Sequence, residues 1–331
     1  MRFGIVGTGA IASCYKDAFR ELGELATLSA CCDTDFFKAQ QFVIDCEISA
    51  FPTLEEMTAS GLVDAVCICT PPPTHAELII AAAKAKVHIL TEKPLAIKLQ
   101  SAERAIAIAK AHSVVLSVIS QRRWLDATQR VRWAIDDGLL GDRIIIGDAY
   151  CEDWKGPEAF LRAEWRRTWK GAGGGVLINQ MSHSLDLLFW FMGNPLEIFG
   201  YSQNLTHTAD MEMDDNAIAV TRFAGGGLAT MRASISVNPP RRLHGVTLLG
   251  ENGRMVSVDV WKFNEGSNDV WTLDIDKPDV KRRYQSLHAC QIADFVESIR
   301  DGRPPAVTAE SGLRVVAAIQ GIYQGRVTQI G

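Results

Sequence analysis

The sequence predicts an α/β chain in two parts. The first third reads as a doubly wound parallel sheet, and the longer remainder as an α+β part built on one large, mostly antiparallel sheet. Three observations carry this. Strand-like apolar runs and helix-like stretches alternate from Arg2 to Ser117, and such alternation gives a parallel sheet with helices on both faces. The first run ends in Gly7-Thr8-Gly9-Ala10-Ile11-Ala12, a glycine turn in the strand–turn–helix context of a nucleotide site. From Leu196 to Tyr284 the pattern becomes strands separated by turn signals. The change near Ser120 divides the chain into expected domains of 1–120 and 121–331.

Arg2 to Val6 is a short apolar run that reads as a buried strand, and Ser13 to Phe19 reads as a helix. Between them Gly7 allows the tight turn, Gly9 lets a pyrophosphate approach the backbone, and Ala12 lets helix and strand pack. The N–H groups at the helix start, at Ala10 and Ile11, face the phosphates. A second strand, Leu25 to Cys32, leads into Asp33, at the roughly 20-residue distance of a carboxylate that accepts from ribose hydroxyls. A carboxylate there repels a 2′-phosphate, and Thr34 and Asp35 supply no cation to welcome one. The cofactor therefore reads as NAD in preference to NADP. The plain alternative is a glycine turn between any strand and helix, with Asp33 as a turn residue.

Further along, Val63 to Cys69, Val87 to Leu90 and Val114 to Ser117 read as strands. Thr74 to Ala85 reads as a helix opened by a Thr74/Glu77 capping box, and Lys98 to Ala111 as another. Ligands of such sheets sit at the carboxyl ends of the strands. That puts Thr70-Pro71-Pro72 and Thr91-Glu92-Lys93-Pro94 beside the nucleotide. In the second part, Trp124 to Ile135 reads as helical and Trp154 to Trp169 as a tryptophan-rich loop. Gly173-Gly174-Gly175 then precede a long apolar helix to Phe191. Ala217 to Phe223, Leu228 to Ile235 and Val246 to Leu249 read as strands, and helices at Cys290 to Arg300 and Ser311 to Gln324 close the chain.

Composition narrows the function classes. With 331 residues, 47% hydrophobic and 22% charged, the chain can bury a large core as a soluble globular protein does. The net charge of −5 favours neither nucleic acid nor an anionic membrane as partner. No apolar run reaches the ~18 residues of a membrane span. The strand beginning at Arg2 leaves no room for a signal peptide, so the expected location is the cytoplasm. Eight cysteines then read as reduced thiols. Cys67 and Cys69 have no second Cys/His pair with metal-ligand spacing, so they read as core packing and no metal is expected. The basic pairs Arg122-Arg123, Arg166-Arg167 and Arg241-Arg242 are scattered.

Two residues suit chemistry. Lys93 ends a strand at the cofactor edge, where an ammonium can stabilise negative charge on a substrate oxygen. Pro94 restricts its backbone, and a cis bond there is allowed. His183 lies on the apolar helix, and at about 100° per residue Asn179, His183 and Asp186 share one stripe. Polar groups on a buried helix need partners or a solvent-filled cleft, and a histidine in such a cleft suits proton transfer. The alternative is a buried histidine satisfied by Asp186. Arg123, Trp154, Trp165, Arg166 and Tyr284 are candidate pocket residues, since aromatic faces suit sugar rings and arginine suits carboxylates or phosphates. Each can equally be a core aromatic or a structural ion pair.

Together these motifs resemble the glucose–fructose oxidoreductase / inositol dehydrogenase / rhizopine-catabolism (Gfo/Idh/MocA) family over essentially the whole chain. The matching segments are GTGAIA, Asp33, TPPPTH (Thr70 to His75), EKPLA (Glu92 to Ala96) and GGGVLINQMSHSLD (Gly173 to Asp186). The resemblance implies a Rossmann domain, and a second domain whose open sheet often forms the oligomer interface, hence a homodimer or homotetramer. The expected cofactor contacts are Gly7, Gly9, Ala10, Ile11, Asp33, Thr70, Pro71, His75, Glu92 and Lys93. Lys93 and His183 match the family's catalytic pair, with Asn179 beside them, and Arg123 a frequent substrate-side arginine; Trp165 and Arg166 join the substrate residues. Asn179 stands where many members carry aspartate and Met181 where many carry glycine. An amide accepts no proton, so a Lys/Asp/His relay is incomplete here. The expected activity is NAD-dependent hydride transfer at a secondary alcohol of a sugar, cyclic polyol or sugar derivative. The alternatives are a glycoside-cleaving enzyme that uses NAD transiently and a catalytically silent NAD-binding sensor.

Overall fold

The computed structural model describes residues 1–44, 46–156, 158, 164–238, 243–260 and 281–330. The chain divides into two compact units, residues 1–121 with 283–313 and residues 122–282 with 314–331. The expected second domain of 121–331 is thus corrected, because 283–313 belong with the first unit. The reason is burial. The helix Leu287–Asp301 places Ala289, Ile292 and Phe295 in one apolar cluster with Phe3 and Phe19, and the Phe3 and Phe295 rings are 6.2 Å apart. Periodicity in sequence marks a helix's apolar stripe and says nothing of which sheet it covers.

The first unit holds six parallel strands: β1 (Arg2–Val6), β2 (Thr27–Cys32), β3 (Ser49–Phe51), β4 (Ala65–Ile68), β5 (His88–Thr91) and β6 (Leu116–Val118). Their order is β3-β2-β1-β4-β5-β6. Helices α1 (Ala12–Leu22), α2 (Phe36–Val43), α3 (Leu54–Ala59), α4 (His75–Lys84) and α5 (Leu99–Ala111) connect them. This is the Rossmann arrangement, whose direction of winding reverses between β1 and β4 and opens a crevice there. Every residue of β4 is buried, as a parallel strand covered on both faces requires. Cys67 and Cys69 lie in the apolar core, where burial pushes both thiols well above their ordinary pKa.

The capping box does not form. Pro72 to Thr74 already make a tight helical turn, so Thr74 has helical dihedrals and its hydroxyl bonds the Pro71 carbonyl and Thr70 Oγ1. Glu77 pairs with Arg104 instead.

The second unit is built on seven strands: β7 (Ile144–Glu152), β8 (Pro195–Gln203), β9 (Asn216–Phe223), β10 (Leu228–Ser234), β11 (Leu243–Gly250), β12 (Met255–Asp259) and β13 (Thr328–Gln329). Their order is β12-β11-β7-β10-β9-β8-β13, antiparallel apart from the β7–β10 pair. Burial alternates residue by residue along β9 and β10, as a sheet with one covered face requires. The helix Ser182–Met192 lies against the covered face. Gly147 of β7 faces this helix, and a Cβ there would stand 2.8 Å from Leu188 Cδ1, so the helix side chains pack directly on the strand backbone. The other face presents Ile146, Tyr201, Ile218, Val220 and Leu228 to solvent. The Arg241-Arg242 pair and the reach of the strand pattern over 261–280 lie outside the described residues.

Candidate active site

In the first unit the glycine turn has the form a dinucleotide needs. Gly7 adopts φ +89°, and a Cβ there would stand 2.7 Å from Thr70 Cγ2. The turn after β1 thus closes directly on the turn after β4. Gly9 is exposed and a Cβ on it would meet nothing within 4 Å, so the space beside its backbone is open. Ile11 stands at the N-cap of α1 and offers no side-chain acceptor to the helix start. Open space beside the backbone and an uncapped helix terminus suit an anion.

Asp33 stands at the end of β2, half-buried and held in place. Its Oδ2 accepts from the Thr8 N–H at 2.8 Å and the Thr8 hydroxyl at 3.0 Å, and its Oδ1 from the Asp35 N–H at 2.9 Å. A carboxylate has about four acceptor positions, so Oδ1 keeps one for a further hydroxyl. These residues fit the adenosine side of NAD.

Two expected cofactor contacts turn inward. His75 is fully buried, with Nδ1 2.7 Å from the Pro94 carbonyl and Nε2 2.8 Å from the Thr70 carbonyl. Each ring nitrogen lies against a main-chain carbonyl, one of them donating to it, so His75 packs between the two strand-end turns and does not face a ligand. Burial pulls its pKa down against the pull of the two carbonyls. Glu92 is also buried. Its Oε1 accepts from the Tyr15 hydroxyl at 2.9 Å and lies 3.5 Å from His288 Nε2, while its Oε2 accepts from the Lys93 N–H at 3.2 Å. Burial pushes the carboxyl up, but His288, Lys93 and Tyr15 together bring it below its ordinary pKa. Glu92 is therefore a buried negative charge supporting the turn. Lys93 follows it, half-buried, with a cis bond to Pro94.

In the second unit the glycine triplet lies against Asp214. Asp214 is buried between β8 and β9; its Oδ1 accepts from the Gly175 N–H and the Tyr323 hydroxyl, and its Oδ2 from the Leu177 N–H, at 2.8, 2.7 and 3.0 Å. A side chain on Gly175 would collide with the Asp214 backbone, and one on Gly174 with Tyr323. Burial pushes the Asp214 carboxyl up to about 6, against the donors from Leu177, Tyr323 and Gly175. Its neighbour Asp215 moves the other way. Burial pushes it up, but hydrogen bonds from Thr206, Leu205 and His207 outweigh that and hold it below the usual range.

The helix after the triplet is not regular. Leu177–Met181 form a π-helical turn, and the α-helix begins at Ser182. Asn179 thus lies on the wider turn and His183 on the α-helix that follows it, so the even 100° spacing expected between them does not hold through this stretch. The Asn179 amide donates to the Gly174 and Gly175 carbonyls at 3.2 and 3.1 Å. His183 is 8% exposed, one α-helical turn before Leu187.

Arg123, expected on the substrate side, stands in a buried ion pair. It is 5% exposed, and its Nε and Nη2 grip the two oxygens of Asp186 at 2.8 and 2.6 Å. Its guanidinium also lies 5.4 Å from the Trp190 ring. This buried fork anchors the His183 helix, and Asp186 is committed to it. Trp154 packs its ring 5.7 Å from His207, and Tyr284 packs on the first unit's core beneath Arg283. Trp165 and Arg166 behave differently. Their side chains stack at 4.9 Å, and Arg166 lines one cleft with Asn179.

A switch-point crevice with a ribose-spaced carboxylate and a strand-end lysine defines a dinucleotide-dependent oxidoreductase. The chain belongs to the Gfo/Idh/MocA family, and NAD is its cofactor. A family model described as "Oxidoreductase family, NAD-binding Rossmann fold" matches residues 1–120, and one described as "GFO/IDH/MocA C-terminal domain" matches 128–256. The chain is 25% identical to myo-inositol 2-dehydrogenase of Thermotoga maritima, over 94% of this chain and 92% of that protein. It is 26% identical to UDP-N-acetylglucosamine 3-dehydrogenase of Acidithiobacillus ferrooxidans, over 96% and 95%. Among solved structures, the WlbA dehydrogenase of Bordetella pertussis, in complex with NADH and UDP-GlcNAcA, superposes with a TM-score of 0.88 at 27% identity. That match covers 100% of this chain and 98% of WlbA.

Replacing Arg123 by Met should strand the Asp186 charge in the interior. Breaking a buried pair in this way typically costs ~3–5 kcal/mol. Urea unfolding of the variant beside the unmutated protein measures it, and an unchanged midpoint would count against a structural role for Arg123.

Proposed function

We propose that the protein transfers a hydride between NAD and a secondary alcohol or ketone of a sugar, cyclic polyol or sugar derivative. The observation that carries this is Lys93 at the carboxyl end of β5, backed by the buried Glu92 and followed by Pro94, whose carbonyl His75 packs against. Two relatives named as dehydrogenases, of an inositol and of a nucleotide sugar, support the substrate class.

When bound, NAD supplies the hydride acceptor. Gly7, Gly9, Ala10 and Ile11 hold its pyrophosphate through backbone N–H groups, and Asp33 takes the ribose hydroxyls. Thr70 and Pro71 close the far side of the crevice. Lys93 donates to the substrate oxygen as negative charge develops on it. His183 takes the hydroxyl proton in oxidation and returns it in reduction. Asn179, whose amide donates to the Gly174 and Gly175 carbonyls, carries no proton to transfer. Trp165 and Arg166 contact the substrate away from the reacting carbon. A panel of sugars, polyols and nucleotide sugars, followed by NADH absorbance, tests the reading. Product without net NADH would favour transient oxidation instead.

Lys93→Met and His183→Gln should each keep NAD binding and lose turnover, by ~10²–10³ for the lysine and ~10²–10⁴ for the histidine. If both act on one hydroxyl, the double variant loses less than the product of the single losses. Stopped-flow hydride transfer decides, and unmutated rates in both single variants would place the chemistry elsewhere.

Asp33→Ser should narrow the preference for NAD over NADP, since it removes a negative charge from beside the 2′ position. Fluorescence titration of both cofactors reads this, and tighter NADP binding by the unmutated protein would sink it.

The protein should also be a homodimer or homotetramer through the solvent face of the second unit's sheet. Ile218, Val220 and Leu228 stand 60%, 53% and 52% exposed on neighbouring strands, an apolar patch of the kind that marks an interface. A monomer mass by light scattering at micromolar concentration would rule this out.

A further inference from the structure

Asn179 shares its cleft in the second unit with Arg166, Lys155 and Gln180, while Met211 and Ile235 supply apolar wall. Among the described residues, no carboxylate lines it. The whole chain carries 39 acidic against 34 basic side chains, so two cations and two amides without an acid are a local inversion of charge. Such inversions attract anions.

The two cations are not equivalent. The Lys155 ammonium lies 3.0 Å from the buried Asp153 carboxylate, which balances its charge. Arg166 pairs with no carboxylate among the described residues, and its guanidinium is held 4.9 Å over the Trp165 ring. Partial burial lowers its pKa, with no neighbouring carboxylate to offset the effect. Stacking uses the face of the guanidinium and leaves its edge donors for a ligand. Those donors form the planar fork that matches a carboxylate or phosphate.

We propose that this cleft takes a negatively charged oxyanion on the substrate, a carboxylate or a phosphate, with Arg166 supplying the fork and Lys155 a second donor. The proposal rests on the hydride-transfer reading above and names its substrate class as an anionic sugar derivative. It also assigns Asn179 a use: a neutral amide in that cleft does not repel the anion as a carboxylate would.

Four probes separate the sources of charge. Glucose is neutral, glucuronate adds a carboxylate, UDP-glucose adds a diphosphate, and UDP-glucuronate carries both. Calorimetry on the NAD-loaded protein measures binding independently of turnover, and NADH absorbance runs alongside. At least one anionic ring should bind more tightly than glucose, with the gain shrinking as salt rises. Arg166→Gln should remove ~10–100-fold more affinity from that ligand than from glucose, the worth of a charge-assisted fork. Arg166→Lys, which keeps the charge without the fork, should recover part of the loss. A gain confined to glucuronate assigns a sugar acid, and one confined to the UDP sugars assigns a diphosphate. Equal binding of all four, no binding of any, or an equal loss for charged and neutral rings in Arg166→Gln would overturn the proposal. Charge-selective binding with no NADH from any probe keeps the cleft assignment and sinks the hydride-transfer reading; NADH without charge selectivity does the reverse.

Discussion

One buried carboxylate decides where the second unit's candidate residues stand. Asp214 collects the Gly175 N–H, the Leu177 N–H and the Tyr323 hydroxyl. The first two come from the triplet and the π turn that follows it, and the third from the last long helix, more than a hundred positions later in the chain. Each donor would cost more to leave unpaired in the interior than any one bond contributes. The glycines are needed because the backbone passes against Asp214 and Tyr323 with no room for a Cβ. Once that contact is made, the start of the helix is fixed. The Arg123–Asp186 fork fixes the same helix further along. Asn179 and His183 lie between two anchors, which is the rigid support that a site for chemistry requires.

The first unit reaches the same end with a different device. Its functional turns follow neighbouring strands, β4 and β5, whose pairing ends at Ile68 and Thr91, and beyond that point the ladder no longer fixes them. His75 does so by packing between the carbonyls of Thr70 and Pro94. Glu92 adds a buried charge behind Lys93, itself held by Tyr15 and His288. The residues that resemble cofactor contacts in sequence therefore divide into those that face outward, such as Gly9 and Asp33, and those that hold them from behind.

What could be read from the sequence follows the range of the forces involved. The parallel sheet, the glycine turn and Asp33 were legible because each depends on neighbours within about 30 residues, the span of one βαβ unit. The place of Lys93 just past a strand end was legible from the apolar run before it. The Arg123 ion pair was not legible because its partner Asp186 lies 63 positions away and a structural and a substrate-side arginine look alike in sequence. Asp214 and Tyr323 were missed. The only local signal was a pair of adjacent acids, Asp214-Asp215, ahead of a strand, and side chains that alternate along an extended chain must find different partners. The π turn was hidden because Leu177 to Met181 are compatible with a regular helix.

The return of residues 283–313 to the first unit has a consequence for synthesis. The nucleotide-binding half of the gene product is chemically unfinished when its six strands have emerged. Phe3 and Phe19 still await Ile292 and Phe295, nearly three hundred positions later. A nascent chain holding only its first 121 residues keeps an apolar flank uncovered until translation is almost complete. Non-local closure of this kind slows folding and prolongs the exposure of adhesive surface. The amino-terminal segment is therefore no portable cassette. Grafted onto another protein without its late helix, it would carry its nucleotide turn and an unpaired hydrophobic seam together.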